Sequence, residues 1–413
     1  MYAMNHLKAL IVLAIVLMCV GTGPGRSRGE DPLGAARPAL APRHVIDLGE
    51  HTLIGGVKFS KDGSTLFCQA GTNKEDHTTK DCRILAIDAR RGRVDRTLWA
   101  EHGQTLDPRA LTPDGNELIA KYRYEPEVAI ISTTRGGVVR TINYADDTDS
   151  QLLDPPALIG FSSDRRTAFV RRLVGPEQHS EVTGLSLDNG ERTVHINFRS
   201  VPEGCMRSIL RITPGTETML LEHRYAASWG DPMNVLLHDI TPPLDDTRVL
   251  SIPQGMSSSF TFGNAGQMMV IRSRRPEGIC VWDIKTDKQS LFLPAPDGRR
   301  LVATPVCSSK CDRVFVRAWR RPEQGAAIYN VIVASVSKGA WFAELGYPEG
   351  VIACQPHRLV ASPDGMTLAT ACMREGPTQE VTGCKLLLWD LSVLEGTGAD
   401  ACKPTDVHKV RKE

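Results

Sequence analysis

The 413-residue chain lacks an excess of either charge, since 49 Lys and Arg residues stand against 48 Asp and Glu residues. Such a chain has no global field that would draw it to nucleic acid or to an anionic membrane, so a charged partner must be met by a local patch. Known catalytic motifs are also missing. There is no Gly-x-Ser-x-Gly elbow, phosphate-cradling glycine loop, His-Glu-x-x-His pair or Asp-x-Asp-x-Asp-Gly loop, and the histidines are scattered singly. The sequence therefore points to no catalytic residue, metal or cofactor.

Long hydrophobic runs and sustained helical spacing are absent as well. The one apolar run of note, Ala9 to Val20, follows Lys8 and ends at Gly21. It is shorter than the roughly 20 apolar residues that cross a bilayer. This pattern predicts a signal peptide over residues 1–25 and, from its Pro, Gly, Ala and Arg content, a flexible leader over residues 26–42. A retained anchor and lipidation at Cys19 are minor alternatives. We expect a secreted or periplasmic protein with no membrane span in the mature chain.

One unit recurs about every 50 residues: a strand-like run, a turn, a second strand and an apolar strand that ends near an Asp. The turn is rich in Ser or Thr, Pro, Asp and Gly. These residues preset the first turn dihedral, hydrogen-bond their own backbone and tolerate positive φ. Short β-branched runs between the turns are typical of strands. The turns begin at Phe59, Leu111, Phe161, Ile212 and Ala361, with degenerate copies at Phe262 and Val306.

Four strands per unit account for this spacing, and the last unit lacks its fourth strand. After Leu386 to Leu391 the chain ends in a polar tail, residues 392–413, whereas Arg43 to Leu48 is a strand-like segment with no unit of its own. Antiparallel pairing of these two segments would close a ring and remove exposed sheet edges. We therefore expect one all-β domain over residues 43–391. The first strands are predicted to begin near Ile54, Arg109, Leu158, Ser208, Ser258, Val302 and Arg358.

Two of the apolar strands end in Trp-Asp, at Trp282-Asp283 and Trp389-Asp390, and others keep the Asp, as at Ile87-Asp88. With the Ser-Pro-Asp-Gly turn, these residues make the chain similar to WD-repeat or WD-repeat-like (YVTN-type) β-propellers of the exported bacterial kind. The resemblance implies a seven-bladed β-propeller of four-stranded antiparallel blades, closed by an N-terminal strand that pairs with the last blade. The family's Gly-His pair is not evident, so its buried Asp-His-Ser network is not carried over.

Removal of the leader leaves ten cysteines, an even number that fits an oxidising compartment. Cys68 with Cys82, and Cys372 with Cys384, hold matching hairpin positions in the first and last repeats. Each pair is predicted to form a disulfide, with buried thiols as the alternative.

Cys307 and Cys311 replace the turn of the sixth repeat and are predicted to bridge it. Zinc is a weak rival because no second pair of Cys or His residues lies nearby in the sequence. No partner is assigned to Cys205, Cys280, Cys354 or Cys402.

The segments that join the second and third strands are rich in Arg in six of the seven repeats. Guanidinium groups at the rim of an axial channel would form a positive funnel for carboxylate, phosphate or sulfate groups. Because each Arg has a Glu within a few residues, local surface ion pairs are the alternative. The candidate ligand-binding residues are Arg123, Arg172, Arg224, Arg275, Arg321 and Arg374.

The sequence thus favours a non-enzymatic binding or scaffold protein that presents one loop face to a protein, a peptide or an anionic polymer. The alternative is a lactonase-like or sugar-acting hydrolase with its site at the mouth of the channel. Convergence of His or carboxylate groups on the axis would favour the enzyme, and an Arg-lined channel would favour binding.

Overall fold

The computed structural model describes most of the chain between residues 39 and 394. The described ranges are 39–50, 52–73, 79–123, 125–145, 156–174, 179–198, 205–212, 218–225, 233–239, 247–252, 256–263, 265–296, 298–321, 328–349, 351–352, 359–375 and 381–394. The predicted signal peptide and most of the leader and tail lie outside these ranges. Within them, no helix is long and apolar enough to cross a membrane.

After strand β1 (His44–Glu50), the described chain forms six four-stranded antiparallel sheets in which the strands lie side by side in chain order. We number these sheets 1 to 6. Sheet 1 contains β2 (Thr52–Phe59), β3 (Thr65–Asn73), β4 (Thr79–Asp88) and β5 (Arg93–His102). Sheet 2 contains β6 (Leu106–Leu111), β7 (Glu117–Tyr122), β8 (Glu127–Ser132) and β9 (Val138–Asn143). Sheet 3 contains β10 (Ala157–Phe161), β11 (Thr167–Val174), β12 (His179–Ser186) and β13 (Arg192–Phe198).

The second half of the chain repeats this plan. Sheet 4 contains β14 (Cys205–Ile212), β15 (Thr218–Tyr225), β16 (Met233–Asp239) and β17 (Thr247–Ile252). Sheet 5 contains β18 (Met256–Gly263), β19 (Met268–Arg274), β20 (Glu277–Asp283) and β21 (Lys288–Pro294). Sheet 6 contains β22 (Arg300–Cys307), β23 (Arg313–Arg320), β24 (Ile328–Ser335) and β25 (Ala340–Gly346).

A further, five-stranded sheet joins the two ends of the described chain, and we call it the closing sheet. It contains β26 (Val351–Ile352), β27 (Leu359–Ala361), β28 (Thr367–Glu375), β29 (Val381–Asp390) and β1, and a 3-10 helix, Ser392–Leu394, follows it. β1 pairs antiparallel with β29, with His44 opposite Leu388 and Ile46 opposite Leu386. The predicted closure by the N-terminal strand is confirmed.

First strands of neighbouring sheets contact one another around the ring, as β2 does with β6, β18 with β22, β22 with β27, and β27 with β2. The first strands therefore surround the axis, and the fourth strands lie outermost. The protein is an all-β propeller of four-stranded antiparallel blades. Each first strand begins within three residues of its predicted start.

The turn between the first and second strands has one conformation in most sheets. In sheet 1, the Ser60 hydroxyl donates to Asp62 Oδ1 at 2.6 Å, and the Gly63 amide donates to the Ser60 carbonyl at 3.0 Å. Gly63 has φ +71°, a conformation that glycine adopts without steric cost. The equivalent residues Arg165 (φ +59°) and Cys311 (φ +57°) hold it without being glycine. Each of these two turns thus holds a non-glycine residue in a backbone conformation that is sterically unfavourable for it.

Where side chains are described, apolar layers fill the space between neighbouring sheets. One apolar layer brings Ile54 and Leu66 of sheet 1 together with Ala371 and Leu386 of the closing sheet. Trp389 is fully buried in the next layer, between the closing sheet and sheet 6. Removal of this apolar surface from water, at about 25 cal/mol per Å², holds the ring together.

A short N-terminal segment extends the closure to sheet 6. The Leu40 amide donates to the Glu344 carbonyl at 2.8 Å, and the Gly346 amide donates to the Leu40 carbonyl at 3.0 Å. Trp389 Nε1 also donates to the Leu40 carbonyl, at 3.2 Å. Leu40 lies within the segment predicted to be a flexible leader, so the leader is ordered at its end. A single bridge leaves no periodic pattern in the sequence, which is why the sequence did not predict it.

Candidate functional site

Polar side chains recur at one position of the second strand in five sheets. In the structure we count each turn from the residue whose carbonyl accepts its backbone hydrogen bond, which is Ser60 in sheet 1 and Thr112 in sheet 2. In each of the five sheets, the polar residue stands nine positions after this first residue of the turn. We call this set the second-strand ring. Its members with described side chains are Gln69, Lys121, Arg171, Arg272 and Arg317.

The first strands that pair with the second-strand ring are irregular. In all of sheets 1 to 6, the pairing between the first and second strands shifts register within the first strand. Such bulges bend a strand and re-aim the side chains around it. In sheet 1 the irregularity lies at Gly55 and Gly56, and a Cβ on Gly55 would stand 1.5 Å from Gln69 Oε1. The absent side chain of Gly55 thus leaves room for the Gln69 amide.

Buried arginines on the second strands connect neighbouring sheets. Arg317 Nη2 of sheet 6 donates to Thr370 Oγ1 of the closing sheet at 2.7 Å. Arg172 Nη2 of sheet 3 donates to the carbonyl of Tyr144, which follows sheet 2, at 2.7 Å. A charge-assisted hydrogen bond of this kind offsets part of the cost of burying the guanidinium group.

The inner strands of sheets 1 and 2 and the turn between β10 and β11 of sheet 3 carry a concentration of positive charge, which we call the basic cluster. It consists of four cations and one carboxylate: Lys58, Arg109, Lys121, Arg165 and Asp107. Arg109 Nη2 lies 2.8 Å from Asp107 Oδ2, and Lys121 is the cross-strand partner of Asp107. A Cβ on Gly56 would stand 1.9 Å from Asp107 Oδ1, so this glycine brings the carboxylate against the inner strand of sheet 1.

The basic cluster is electrostatically unbalanced. Burial lowers the pKa of Lys58; Asp107 opposes this effect, while Arg109 and Arg165 add to it. Burial also lowers the pKa of Lys121, and Arg109 lowers it further. One carboxylate cannot compensate four cations, so a bound anion would relieve their mutual repulsion.

Three of the six candidate arginines lie in exposed connections between second and third strands. Arg123 follows β7, Arg275 lies in the turn between β19 and β20, and Arg321 follows β23. Because equivalent connections in a ring of equivalent sheets lie on the same face, these three share one face of the propeller. We call them the rim arginines.

The other three candidate arginines belong to strands rather than loops. Arg172 is buried in β11, Arg224 is in β15, and Arg374 is in β28 opposite Val351. The hairpins of these sheets extend further than the sequence pattern indicated. Nothing in the periodicity marks where a paired strand gives way to a loop.

No disulfide joins the described cysteines. Cys68 is paired with Leu85, and Cys82 with Gly71, so the two thiols project from opposite faces of sheet 1. Cys68 accordingly packs in the layer shared with the closing sheet, and Cys82 in the layer shared with sheet 2.

The same geometry separates the second predicted pair. Cys372 is paired with Lys385, and Cys384 with Met373, which again places the two thiols on opposite faces of one sheet. The predicted Cys68–Cys82 and Cys372–Cys384 bonds therefore do not fit the register. All four cysteines lie inside their strands rather than beside the connections between them.

Cys307 and Cys311, by contrast, lie together. A Cβ on Gly263 would stand 2.9 Å from Cys307 Sγ and 2.8 Å from Cys311 Sγ, so both sulfurs approach one point of sheet 5. The Cys307 thiol donates to the Phe262 carbonyl at 3.1 Å. Among the remaining cysteines, Cys280 is buried and desolvation raises its pKa to about 12.

A cavity of about 330 Å³ lies beside β1 at the closing sheet. Its lining includes Arg43, His44, Arg90, Trp389 and Asp390. Arg43 Nη1 lies 2.5 Å from Asp390 Oδ2, and His44 Nε2 lies 2.8 Å from the Arg90 carbonyl oxygen. These contacts fasten β1 to its neighbours. Across the described residues, no three His, Cys, Asp or Glu side chains stand close enough together to hold a metal ion.

No protein-family model matches this sequence, and no curated protein matches it. Solved structures do resemble the fold. The β-propeller domain of Myceliophteria thermophila Cps50 (Swd1) is 12% identical with a TM-score of 0.53, over 84% of this chain and 99% of that one. A chain of the mitotic checkpoint complex is 12% identical with a TM-score of 0.51, over 90% of this chain and 98% of that one.

An oligogalacturonate lyase in complex with manganese is 14% identical with a TM-score of 0.54, over 82% of this chain and 90% of that one. At these identities the similarities show the fold alone. They agree with a β-propeller fold and do not separate binding proteins from enzymes.

The second-strand ring and the basic cluster were absent from the sequence prediction. A signal for the ring was present, because its members keep a constant distance from the turn and alternate with apolar residues. The basic cluster has no such signal. Lys58, Arg109 and Arg165 come from three different sheets, and only the packing of these sheets around the axis brings them together.

Proposed function

We propose that the protein is a binding propeller that takes an anionic group of a protein, peptide or polymer at the basic cluster and the rim arginines. In this proposal the closing sheet is the seventh blade of an exported, WD-repeat-like propeller. The imbalance of four cations around the single carboxylate of Asp107 is the observation that carries the proposal. Partly buried cations interact more strongly with an anion than surface cations do, because water screens them less.

The rim arginines and the basic cluster complement each other. Arg123 directly follows β7, one residue after Tyr122 and two after Lys121 of the cluster. An extended acidic chain can therefore contact exposed guanidinium groups at the rim and reach partly buried cations behind them. Arg offers a planar fork for carboxylate or phosphate oxygens, and Lys adds a compact charge.

Titration of fluorescent poly-L-glutamate against the purified protein tests the proposal, with dextran as the neutral polymer. We expect saturable binding of the polyanion that weakens steeply as salt rises from about 50 to about 300 mM, and no binding of dextran. The double variant Arg109→Gln, Lys121→Gln should weaken binding about tenfold or more, because two of the four cluster cations are lost.

The matched control is Lys285→Gln with Lys338→Gln. These exposed residues lie in turns between third and fourth strands, on the face opposite the rim arginines. The control removes the same net charge and should leave affinity within about twofold, since these lysines belong to sheets 5 and 6 and the cluster belongs to sheets 1 to 3. Equal weakening by both double variants would mean that binding follows net charge alone, and the proposed site would be wrong.

Arg275→Ala with Arg321→Ala separates the rim from the cluster. If both contribute, this variant also weakens binding and reduces its salt dependence. The enzymatic alternative, a lactonase-like or sugar-acting hydrolase, is tested in parallel with oligogalacturonate and a simple lactone. Their conversion, lost in the Arg109→Gln, Lys121→Gln variant, would replace the binding function with a catalytic one.

A further inference from the structure

The turns between first and second strands pack against one another around the ring. A Cβ on Gly365 of the closing sheet would stand 2.8 Å from Ser308 Cβ of sheet 6, and a Cβ on Gly63 of sheet 1 would stand 3.3 Å from Ser362 Cβ. At each of these seams the last residue of one turn is a glycine, and it faces the first residue of the preceding sheet's turn, which is a serine.

The seam between sheets 5 and 6 exchanges these roles. Cys311 occupies the position of the glycine in the turn of sheet 6, and Gly263 occupies the position of the serine in the turn of sheet 5. A Cβ on Gly263 would stand only 2.5 Å from Cys311 Cβ. The two departures from the repeat therefore compensate each other. The chain places a side chain at a left-handed position, φ +57°, where glycine costs nothing.

The thiol of Cys311 stands next to that of Cys307. Both sulfurs lie within 3 Å of the point where a Gly263 Cβ would stand, at 2.8 and 2.9 Å. Contact with the neighbouring Cys307 thiol lowers the pKa of Cys311, and burial opposes this effect. The same contact raises the pKa of Cys307. A lowered pKa increases the thiolate fraction, and the thiolate is the nucleophile of thiol chemistry.

We propose that Cys307 and Cys311 form a redox-active dithiol that a peroxide oxidises to an intramolecular disulfide. In the first step the Cys311 sulfur attacks one peroxide oxygen, the O–O bond breaks, and the released hydroxide takes up a proton to form water. In the second step the Cys307 sulfur attacks the sulfenic sulfur of Cys311, and the S–O bond breaks as the S–S bond forms. The second hydroxide takes the Cys307 proton, so two thiols and one hydrogen peroxide give one disulfide and two waters.

Oxidation changes the seam as well as the turn. A disulfide sulfur carries no hydrogen, so the Phe262 carbonyl of sheet 5 loses the donor that reaches it from sheet 6 at 3.1 Å. The new bond instead connects the end of β22 to the end of its own turn. Oxidation thus exchanges a link between sheets for a link within one turn.

Peptide mapping tests the proposal because trypsin cleaves between the two cysteines, after Lys310. The reduced full-length protein is treated with hydrogen peroxide, the peroxide is removed, the remaining thiols are alkylated after unfolding in urea, and the protein is digested without reductant. We expect peptide 301–310 joined to peptide 311–313 by a disulfide, and two separate alkylated peptides after treatment with dithiothreitol. Buried Cys82 and Cys280 serve as internal controls and should be alkylated in both samples.

Two variants keep the test decisive if one of them folds poorly. Cys311→Gly restores the usual turn residue, and Cys307→Ser keeps the turn and removes one sulfur. In each, the joined peptide must disappear. Absence of the joined peptide from the oxidised wild-type protein would overturn the proposal. Equal oxidation of Cys82 or Cys280 would also overturn it, because the pair would then have no special reactivity.

Discussion

The seam between sheets 5 and 6 and the seam between sheet 6 and the closing sheet solve the same packing problem in opposite ways. At the second seam, Gly365 leaves room for Ser308, as the repeated turn sequence prescribes. At the first, Cys311 carries a side chain and Gly263 leaves the room. The contact between sheets therefore limits the combined size of the two facing side chains and not the size of either one alone. A repeat that looks degenerate in sequence can be intact in packing, and the exchange has brought two thiols together.

The largest effect should come from disrupting the closing sheet, which takes part in the seam that has the usual glycine and serine arrangement. Deletion of residues 1 to 49 removes β1, including buried Ile46, and the bridge made by Leu40. We expect a loss of more than about 3 kcal/mol in the free energy of unfolding, measured by urea denaturation. Deletion of residues 1 to 38 is the control and should cost little. Equal stability of the two truncated proteins would contradict the closure.

The compensation at the seam between sheets 5 and 6 is tested by a double-mutant cycle. Gly263→Ser alone should cost about 1 to 3 kcal/mol, because its Cβ would meet Cys311 Cβ at 2.5 Å. Combined with Cys311→Gly, which restores the ordinary arrangement, the same substitution should cost much less. We expect a favourable coupling energy of at least about 1 kcal/mol. Additive effects in urea denaturation would show that the two residues do not compensate each other.

Two glycine substitutions separate the backbone from the seam. Gly115 and Gly365 have similar φ values, +77° and +71°, but only Gly365 has a neighbour within 4 Å of an added Cβ. Gly115→Ala should cost about 1 to 2 kcal/mol from the left-handed conformation alone. Gly365→Ala should cost about 1 kcal/mol more, because it also meets Ser308. Identical losses in thermal or urea unfolding would mean that the turns do not press on each other.

The smallest effect concerns the loss of folding stability at low pH. The turn of sheet 1 has a carboxylate at a position where the turn of sheet 6 has none. Sheet 1 has Asp62 where sheet 6 has Lys310. Hydrogen bonds from the hydroxyls of Ser60 and Ser64 lower the pKa of Asp62 from 3.8 to about 2. Since the folded pKa is the lower one, this carboxylate stabilises the fold fully above about pH 4, and its contribution disappears as the pH falls through about 2.

Asp62→Asn should therefore reduce the dependence of the unfolding free energy on pH in this window. Asp95→Asn, which removes an exposed carboxyl on β5, is the control. An unaltered slope in Asp62→Asn would show that the turn carboxylate does not contribute to acid sensitivity.

Much of the fold follows from local sequence, because the turn is a local structure. Ser60, Asp62 and Gly63 determine their own hydrogen bonds and φ values, so the turns and the starts of the first strands could be predicted. The closure could also be predicted, because a strand-like segment without a unit has few places to pair. The disulfide pairs failed for a physical reason. A shift of one residue in register moves a side chain to the other face of a sheet, and the sequence pattern does not locate cysteines to one residue.

The candidate site was less predictable than the fold. The rim arginines were identified from composition, since Arg123, Arg275 and Arg321 occur in loops that a ring places on one face. The basic cluster depends on contacts between residues of different sheets, and on Gly56, whose missing side chain admits the Asp107 carboxylate. No local pattern encodes such a meeting.

Hydrogen exchange of the protein with and without poly-L-glutamate, followed by mass spectrometry, tests the central claim most directly. Binding at the basic cluster predicts slower exchange in β2, β6 and β7, which carry Lys58, Arg109 and Lys121, and unchanged exchange in the opposite-face turn at residues 336–339. The protection should be lost in the Arg109→Gln, Lys121→Gln variant. Protection confined to the 336–339 turn, or none in the three inner strands at saturating polymer, would contradict an anion site at the basic cluster.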